Sequence, residues 1–461
     1  MKIKTHIFRE YDIRGIVAQD LSGDVAELIG RAFGSEVKQR LGSTPTLAVG
    51  HDNRPSSPAL AAGIIKGITA AGVNVIFVGT VPTPVLYYAT EVLHADGGLQ
   101  ITGSHNPPEY NGFKMVVQGR ALYGAAIQGL LKRIQQDDFE SGQGSRTERE
   151  INQEYIADVG GRFQPQRKLK VVVDCGNGTG SLVAVPLLER AGAQVVPLYC
   201  ESDGTFPNHH PDPTVDANVR DLIALVKREK ADFGIGFDGD ADRIGVVDEQ
   251  GGIVRGDLLL LLYALDALER LGAPQKLVFD VKCSQAVPEV YQQHGGEPIM
   301  WKTGHSLIKE KMKEVHAPVA GELSGHICFG EDYYGFDDAL YGACMLIQLV
   351  ARDGRRLSEM VAEFPKYVST PEIRIEVTEE NKFDIVKNAV AHFRKAHEVI
   401  DVDGARVLFD GGWGLLRASN TQPVLVARYE ARTQEQLQRI QDTMEEWLRS
   451  QGVDLAATAA H

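Results

Sequence analysis

Paired cysteines, long apolar runs and an excess of basic charge are all missing from this sequence. There are only five cysteines in 461 residues, they are far apart, and no two form a CxxC pair. This spacing excludes a zinc ribbon and argues against a disulfide framework. The cysteines are Cys175, Cys200, Cys283, Cys328 and Cys344. The pattern predicts reduced, buried thiols in a cytoplasmic protein.

No apolar run is long enough to suggest a membrane span. The longest, Leu258 to Leu265, lies between Asp257 and Asp266 and is far shorter than the ~20 residues that a spanning helix needs. Near the amino terminus, Lys2 and Lys4 are followed by further charge and not by an apolar signal core. We therefore expect a soluble, cytoplasmic protein with no membrane partner.

Basic charge is in deficit. The 48 lysines and arginines stand against 62 aspartates and glutamates, which gives a formal net charge of -14. This balance argues against nucleic acid or an anionic membrane as a partner. It still allows a small anionic ligand, because a few arginines and lysines that converge on one cleft can bind it. Nothing in the composition predicts an obligate protein partner.

The chain instead has a repeated alternation of strand and helix patterns. At 461 residues it is too long for one hydrophobic core, which predicts three or four domains. Predicted strands at Leu47–Val49 and Val73–Val78 flank a predicted helix at Pro58–Ala71, as in a parallel sheet with crossover helices. The rhythm recurs twice, with strands at 170–174, 195–198, 232–237 and 276–281 and helices at 181–191, 216–227 and 284–293.

After about Glu363 the pattern becomes that of a smaller α+β domain. It has a predicted helix at 382–393, strands near 407–409 and 424–429, and a final amphipathic helix at 434–447. The predicted domains are therefore 1–148, 149–251, 252–363 and 364–461. The residues after Gly452 are small, and we expect them to fray.

The stretch TGSHNPPEYNGFK, residues 102–114, concentrates polar side chains on one predicted turn. Ser104 follows a predicted strand at Gly98–Thr102, and open α/β sheets bind ligands at the carboxyl ends of their strands. Pro107 and Pro108 restrict the backbone after it, which predicts a stiff, exposed turn. We expect the hydroxyl of Ser104 to face a cleft and to be the centre of the chemistry.

The motif DGDADR places Asp238, Asp240 and Asp242 at alternate positions after another predicted strand. In an extended segment these carboxylates share one face, and their repulsion requires a cation. A hard divalent metal suits three carboxylates, and Mg²⁺ is favoured because room remains for water and a phosphate oxygen. The alternative is a calcium loop ending at Glu249, although Arg243 stands where that loop needs glycine.

Two more polar stretches have the composition of ligand-binding loops. GELSGH is predicted to be a strand framed by glycines, and its alternating carboxylate, hydroxyl and imidazole suit sugar hydroxyls. These groups belong to Glu322, Ser324 and His326. RASNTQP combines one fixed cation with three hydrogen-bonding side chains, namely Arg417, Ser419, Asn420 and Thr421. That composition suits a phosphate that is held without reacting.

Two other motifs receive structural interpretations. Residues 176–180 contain three glycines in the style of a dinucleotide fingerprint, but Ser181 replaces the last glycine, so a tight strand-to-helix turn is predicted. His209 and His210 are adjacent and lie among prolines. Adjacent histidines rarely point at one ion, so this stretch is interpreted as a rigid strap between domains.

Taken together, these stretches resemble the α-D-phosphohexomutases, the family that includes phosphomannomutase and phosphoglucomutase. The resemblance covers nearly the whole chain through four separated loops in the family's order. It implies an α/β protein of three similar domains with mixed sheets, followed by a smaller α+β domain, around a central cleft. It also implies interconversion of hexose 6-phosphate and hexose 1-phosphate, with mannose or glucose as the sugar. Phosphorylated Ser104 would work through a hexose 1,6-bisphosphate, which would also act as an activator.

Residue roles are carried over from the same resemblance. Mg²⁺ would be held by Ser104, Asp238, Asp240 and Asp242. Arg14, His105, Lys114 and Arg243 would lie by the phosphoserine. The substrate side would include Tyr11, Lys282, His305, Glu322, Ser324 and the loop that contains Arg417, Ser419, Asn420 and Thr421. The candidates for the general base are His326, Lys114 and Arg243.

Three alternative functions remain open. A phosphoserine-dependent sugar phosphatase would use the same serine and metal, and a noncatalytic protein would use the acidic loop to bind calcium. Phosphoglucosamine mutases belong to the same family, but they tend to have glutamine after the sugar-loop glutamate and a glycine in the last loop. Leu323 and Asn420 therefore favour the phosphomannomutase/phosphoglucomutase branch.

Overall fold

The computed structural model describes residues 3–42, 44–420, 422–455 and 458–459. Four sheets follow one another along the chain, each built from one continuous segment. The first three are mixed sheets and the fourth is antiparallel. This arrangement confirms the predicted fold class. Among the described residues, no helix is both long enough and apolar enough to cross a bilayer.

The first sheet carries the serine stretch. Its strands are Ile13–Ile16 (β1), Thr46–His51 (β2), Asn74–Thr80 (β3), Gly97–Ile101 (β4), Tyr110–Val117 (β5), Arg120–Ala121 (β6) and Arg146–Glu148 (β7). Its helices are Gly23–Leu41 (α1), Ser57–Ala70 (α2), Thr83–Val92 (α3) and Ala125–Gln135 (α4). The strand order is β1-β5-β4-β2-β3-β7, with β6 beside β5. Helix α1 begins at a Ser22 cap and ends at Gly42, whose φ is 67°, as helix caps require.

The second sheet carries the acidic stretch. Its strands are Lys170–Asp174 (β8), Gln194–Leu198 (β9), Phe233–Phe237 (β10), Ile244–Asp248 (β11) and Ile253–Val254 (β12), in the order β12-β11-β10-β8-β9. Its helices are Asn152–Gly161 (α5), Ala184–Arg190 (α6) and Arg220–Glu229 (α7). The helices predicted at 181–191 and 216–227 each begin instead with a separate 3₁₀ turn. In the first case Thr179 donates to Gly239 O from its backbone and its side chain, which diverts the chain before α6.

The third sheet carries the sugar-loop stretch. Its elements are Gly256–Leu271 (α8), Lys276–Asp280 (β13), Ala286–Gln293 (α9), Glu297–Trp301 (β14), His305–Val315 (α10), Val319–Gly321 (β15), Ile327–Phe329 (β16), Ala339–Asp353 (α11) and Leu357–Ala362 (α12). The strand order is β14-β13-β15-β16. The leucine-rich face of α8 belongs to one continuous core that joins the first three domains. Burial of that shared apolar surface fixes their relative positions.

The fourth sheet has a core of its own. Its elements are Val368–Ser369 (β17), Ile373–Glu376 (β18), Lys382–Phe393 (α13), Glu398–Ile400 (β19), Ala405–Phe409 (β20), Gly412–Ala418 (β21), Val424–Ala431 (β22), Gln434–Ser450 (α14) and Thr458–Ala459 (β23). Strand β23 pairs with β18, so the expectation that the chain frays after Gly452 is wrong there. Residues 456, 457, 460 and 461 lie outside the described residues.

One structural feature recurs in all four domains. Each predicted site stretch connects two antiparallel strands: β4 to β5, β10 to β11, β15 to β16, and β21 to β22. In the first three domains the strand that enters the loop also has a parallel neighbour. These three loops therefore emerge at carboxyl ends of parallel strands, where open α/β sheets bind ligands.

Candidate active site

Ser104 lies in the loop between β4 and β5, with a φ of 49°. Its Oγ donates to Asp238 Oδ2 at 3.0 Å and lies 3.2 Å from His105 Nδ1. The residue is only 3% exposed, whereas Pro107, Pro108 and Glu109 are exposed, so the turn is exposed as predicted but the serine itself is buried. The acidic loop of the second domain covers the hydroxyl, which places Ser104 at the boundary between two domains.

Arg54 fixes the conformation of the serine loop, and sequence analysis missed it. Its guanidinium donates to Ser104 O at 2.8 Å and to Asn106 O at 2.6 Å. Asp52 accepts from Arg54 Nε and from Gly103 N, each at 3.0 Å. Arg54 is 1% exposed, and a buried guanidinium is stable only when acceptors satisfy it. The available signal was an aspartate and an arginine two residues apart, directly after strand β2.

The three aspartates of DGDADR come together around a turn and not along an extended segment, because Ala241 has a φ of 58°. All three side chains are 0% exposed, and one oxygen from each lies within 4.8 Å of the others. Lys114 Nζ donates to Asp240 Oδ2 at 2.7 Å and also contacts Asp242. The predicted carboxylate cluster therefore forms, by a different backbone geometry.

The cluster has the properties of a site for a hard divalent cation. Burial and the charges of Asp240 and Asp242 raise the pKa of Asp238 well above its usual range. Asp240 Oδ1 is buried and accepts no hydrogen bond from any residue that the structure describes. A buried carboxylate oxygen without a donor suits a metal ligand. The alternative calcium loop does not form, because Glu249 points elsewhere and accepts from Ser358 N at 3.3 Å.

Three cationic or imidazole groups predicted near the serine lie around it. Arg14 contacts the side chain of Asn106 in the serine loop and donates to Asp12 at 2.5 Å. Burial opposes the charge of Lys114, but its contacts with the carboxylates raise its pKa well above the usual value. Burial and the nearby arginines hold the pKa of His105 well below its usual value, so its ring is neutral.

His326 joins the acidic loop to the sugar loop. Its Nδ1 lies 3.1 Å from Glu322 Oε2 and 3.1 Å from Ser324 Oγ, and its Nε2 lies 3.3 Å from Asp242 Oδ1. Burial disfavours a charged ring, but the two carboxylates raise the pKa of His326 to about 9. Arg243 Nε also lies 3.3 Å from Nε2, but a protonated ring cannot accept a hydrogen bond at that nitrogen. We assign the Nε2 proton to Asp242.

The sugar loop is a turn and not the predicted strand, since β15 ends at Gly321 and Gly325 has a φ of 86°. Glu322 is buried and accepts from Gly304 N at 2.7 Å. Burial opposes its ionisation, but the hydrogen bond and charge of His326 lower the pKa of Glu322 to about 2. Its carboxylate is therefore ionised and available to polar hydrogens.

Two more predicted substrate residues lie beside the sugar loop. Lys282 Nζ donates to Glu372 Oε1 at 2.7 Å. The ring of His305 stacks on that of His326 at 5.2 Å, and its Nδ1 lies 2.8 Å from Asp337 Oδ2. Asp337, which sequence analysis missed, is fully buried and fixes the orientation of His305.

The fourth loop meets the first domain through Tyr11. The Tyr11 hydroxyl donates to Thr303 O at 2.9 Å and accepts from Asn420 Nδ2 at 2.7 Å. Arg417 is buried and donates to Asp403 Oδ2 at 3.0 Å. Ser419 Oγ accepts from the backbone N of residue 422 at 3.2 Å. Thr421, the remaining predicted member of this loop, lies outside the described residues.

All four domains also match known families. Residues 5–141, 153–252 and 255–367 match phosphoglucomutase/phosphomannomutase alpha/beta/alpha domains I, II and III, and residues 372–446 match the C-terminal domain of the same family. The chain belongs to the phosphoglucomutase/phosphomannomutase family. The resemblance inferred from the four sequence stretches is thereby confirmed.

Individual members of the phosphoglucomutase/phosphomannomutase family are similar over almost their full length. The chain is 48% identical over 445 residues to a phosphomannomutase/phosphoglucomutase of Pseudomonas aeruginosa, covering 96% of both. It is 45% identical over 445 residues to a phosphoglucomutase of Neisseria meningitidis, covering 95% of this chain and 96% of the relative. A crystal structure of a family protein from Burkholderia thailandensis has a TM-score of 0.91 at 42% identity, covering 97% of this chain and 98% of that one.

The site of this chain is made by contacts between domains. The serine loop touches the acidic loop, the acidic loop touches the sugar loop through His326, and Tyr11 touches the third and fourth domains. His209, by contrast, lies 3.0 Å from Asp174 Oδ2. That contact lies within the second domain and gives His209 a carboxylate partner there; the strap between domains stays a prediction.

Proposed function

We propose that the chain is a phosphohexomutase, an isomerase that interconverts the 6-phosphate and 1-phosphate of mannose, glucose or both. Phosphorylated Ser104 and a hexose 1,6-bisphosphate intermediate would carry the reaction. The observation that carries the proposal is the 3.0 Å contact between Ser104 Oγ and Asp238 Oδ2, made inside a buried cluster of acids and cations. The names of the relatives from Pseudomonas and Neisseria support the same reaction.

Mg²⁺ is the proposed cofactor. Asp238, Asp240 and Asp242 would hold it together with a phosphoryl oxygen on Ser104, and the free buried oxygen of Asp240 supports this assignment. When bound, the ion neutralises charge on the phosphoryl group. The hexose 1,6-bisphosphate is proposed as the activator, because it can rephosphorylate a serine that has lost its phosphoryl group.

In the proposed transfer, the bond between phosphorus and Ser104 Oγ breaks as a new bond forms from phosphorus to the free sugar hydroxyl. The negative charge that spreads over the phosphoryl oxygens faces three cations, Arg14, Lys114 and Arg243. Phosphoryl transfer depends chiefly on positioning and on charge stabilisation of this kind. Fixed cations in a buried site need little reorganisation during the reaction.

The hydroxyl proton needs an acceptor in one direction and a donor in the other. Lys114 is engaged by two carboxylates, and an arginine does not lose its proton in proteins. His326 holds a proton between the carboxylates of the acidic loop and the sugar loop, so we assign it the donor step, in which it gives a proton to the oxygen that the phosphoryl group leaves. A positioned acid or base of this kind contributes about 10² to 10⁴ in rate.

The other half of the site would hold the sugar and its second phosphate. Glu322 and Ser324 are proposed to bind two ring hydroxyls, with Lys282, His305 and Tyr11 beside them. Arg417, Ser419, Asn420 and Thr421 are proposed to bind the phosphate that does not react. After the first transfer the bisphosphate would turn over, so that its other phosphate returns to Ser104. A sugar site and a separate phosphate site allow this exchange of ends.

The remaining assignments are proposals of the same kind. The domain boundaries are placed at 148/149, 251/252 and 363/364, so that each domain contributes one loop. A cytoplasmic location is supported by the five free cysteine thiols. No obligate protein partner is proposed, because each of the four loops comes from the same chain.

The proposal is tested by incubating the purified protein with Mg²⁺, mannose 1-phosphate and a trace of hexose 1,6-bisphosphate. The expected products are mannose 6-phosphate and a phosphorylated peptide that contains Ser104, detected by mass spectrometry. Release of inorganic phosphate in excess of isomerised sugar would instead identify a phosphatase. Glucosamine 1-phosphate, which tests the phosphoglucosamine branch, is expected to react more slowly.

A further inference from the structure

Cys175 and Cys200 meet at the ends of two neighbouring strands in the second sheet. Cys175 directly follows β8, and Cys200 lies just after β9. Their Sγ atoms are 3.3 Å apart. The backbone N of Cys175 donates to Leu198 O at 3.2 Å, so the two segments remain side by side beyond the ladder. The two thiols are therefore in contact, although they lie far apart in the sequence.

The two thiols differ in their exposure to solvent. Cys175 is fully buried and Cys200 is half-buried. The hydrogen bond from Cys175 lowers the pKa of Cys200 against the effect of burial, whereas the pKa of Cys175 is raised by the same contact and by burial. The thiolate is the form that reacts with peroxides. Cys200 is consequently the group that an oxidant meets first.

We propose that this pair is an oxidation site, at which hydrogen peroxide converts Cys175 and Cys200 into a disulfide that slows turnover. Cys200 attacks one peroxide oxygen, the O–O bond breaks, and a sulfenic acid and water form. The Cys175 thiol then attacks that sulfur, the S–O bond breaks, and a second water leaves. The two sulfurs have lost two electrons to the peroxide, and both thiol protons end in water.

The disulfide would act on the acidic loop through the turn that follows Cys175. Gly178 lies against Gly239, since a Cβ on Gly178 would be 2.6 Å from Gly239 O. Thr179 donates to the same oxygen from its N at 2.9 Å and from its Oγ1 at 3.1 Å. Gly239 stands between Asp238 and Asp240, so movement of the turn reaches two of the three carboxylates.

The movement that disulfide formation requires is large enough to lower the rate of turnover. The sulfurs must close from 3.3 Å to about 2.05 Å in a disulfide. A displacement of about 1 Å in a positioning element can lower a rate by ~10². We therefore expect oxidation to lower kcat by about tenfold to a hundredfold, without loss of the folded state.

The test uses the full chain, reduced and then treated with a few equivalents of hydrogen peroxide. Peptide mapping under non-reducing conditions should find the Cys175 and Cys200 peptides joined, two hydrogens lighter than their sum. The kcat should fall as this species accumulates, and dithiothreitol should restore it. Absence of the cross-linked species in inactivated protein would overturn the proposal.

Single variants separate this pair from the other thiols. Cys200→Ser should keep the basal kcat and lose the reversible response to peroxide. Cys344→Ser removes a buried thiol in α11 and should respond like the unaltered protein. An unchanged response in Cys200→Ser would also overturn the proposal. The cross-link is detected by mass, so its presence or absence is decided even if the proposed mutase activity proves wrong.

Discussion

In the first two domains the groups assigned to the chemistry touch one another directly across the domain boundary. Ser104 contacts Asp238, and Lys114 contacts Asp240. In the last two domains, the cations assigned to binding are instead paired with carboxylates that lie outside the four loops, Lys282 with Glu372 and Arg417 with Asp403.

This difference separates two tasks. The groups of the first two domains form the reacting half of the site, and those of the last two domains form the binding half. The reacting half is assembled before substrate arrives, as electrostatic preorganisation requires. In the binding half, an incoming phosphate must share or replace an existing ion pair. We therefore expect substitutions in the first half to change mainly kcat and substitutions in the second half to change mainly KM. The following variants test that division, in order of decreasing effect.

Ser104→Ala should have the largest effect. It removes the oxygen that carries the phosphoryl group, so kcat should fall by at least about 10⁴-fold. Binding of glucose 6-phosphate, measured by calorimetry, should persist, because the sugar and phosphate loops are untouched. Ser35→Ala is the matched control, since Ser35 is equally buried but lies in α1. Comparable activity in the two variants would exclude Ser104 as the phosphate carrier.

Asp240→Asn should follow. It removes one negative charge from the proposed Mg²⁺ site, and kcat should fall by about 10³-fold. Chelation of divalent ions should abolish turnover of the unaltered protein, and added Mg²⁺ should restore it. The surface variant Asp442→Asn, on α14, is the matched control and should retain full activity. Full turnover in the presence of the chelator would contradict the metal assignment.

Arg54→Lys should lower kcat by about tenfold while KM changes little. Lysine keeps the charge, but it cannot donate to several loop carbonyls at once, and each lost charge-assisted hydrogen bond is worth about 1.5–3 kcal/mol. The serine loop would therefore lose its fixed position. Steady-state kinetics, with a thermal melt to show that the variant is folded, measure the effect. A raised KM with an unchanged kcat would assign Arg54 to substrate binding.

Arg417→Met should raise KM by about tenfold and leave kcat nearly unchanged. The substitution preserves much of the side-chain volume but removes the charge-assisted contact with the phosphate, which is worth about 1.5–3 kcal/mol. Initial rates over a range of glucose 1-phosphate concentrations separate the two constants. A fall in kcat equal to that in kcat/KM would show that Arg417 acts in the transition state, against the division proposed above.

Arg406→Lys should have the smallest effect of the five variants. It is the counterpart, in the binding half, of Arg54→Lys. Arg406 is also fully buried and donates to two backbone carbonyls, Val281 O and Cys283 O, on either side of Lys282. Lysine cannot donate to both carbonyls with the planar geometry of a guanidinium, so Lys282 should shift. KM should therefore rise about threefold with little change in kcat. Kinetics of the two lysine variants measured together would show whether the halves respond differently.

Much of this site could be predicted from sequence because its residue types are concentrated in short stretches. Asp238, Asp240 and Asp242 are adjacent enough that their charges alone predict a cation site. The alternation of strands and helices likewise predicted the sheets, since apolar periodicity is a local property.

What could not be predicted depends on contacts between distant segments. Arg54 is a single arginine whose role appears only when the serine loop folds over it. The burial of Ser104 results from the second domain, and the Cys175–Cys200 contact from the pairing of β8 with β9. The turn at Ala241 replaced an extended segment, because backbone conformation in loops is set by tertiary contacts.

The proposed mechanism requires that the phosphoryl group on Ser104 be delivered to the sugar and not to water. Phosphoenzyme labelled with ³²P at Ser104, mixed with unlabelled mannose 1-phosphate and quenched within one turnover, tests it directly. We expect the label to appear first in mannose 1,6-bisphosphate. Label released first as inorganic phosphate, with no labelled bisphosphate, would contradict it.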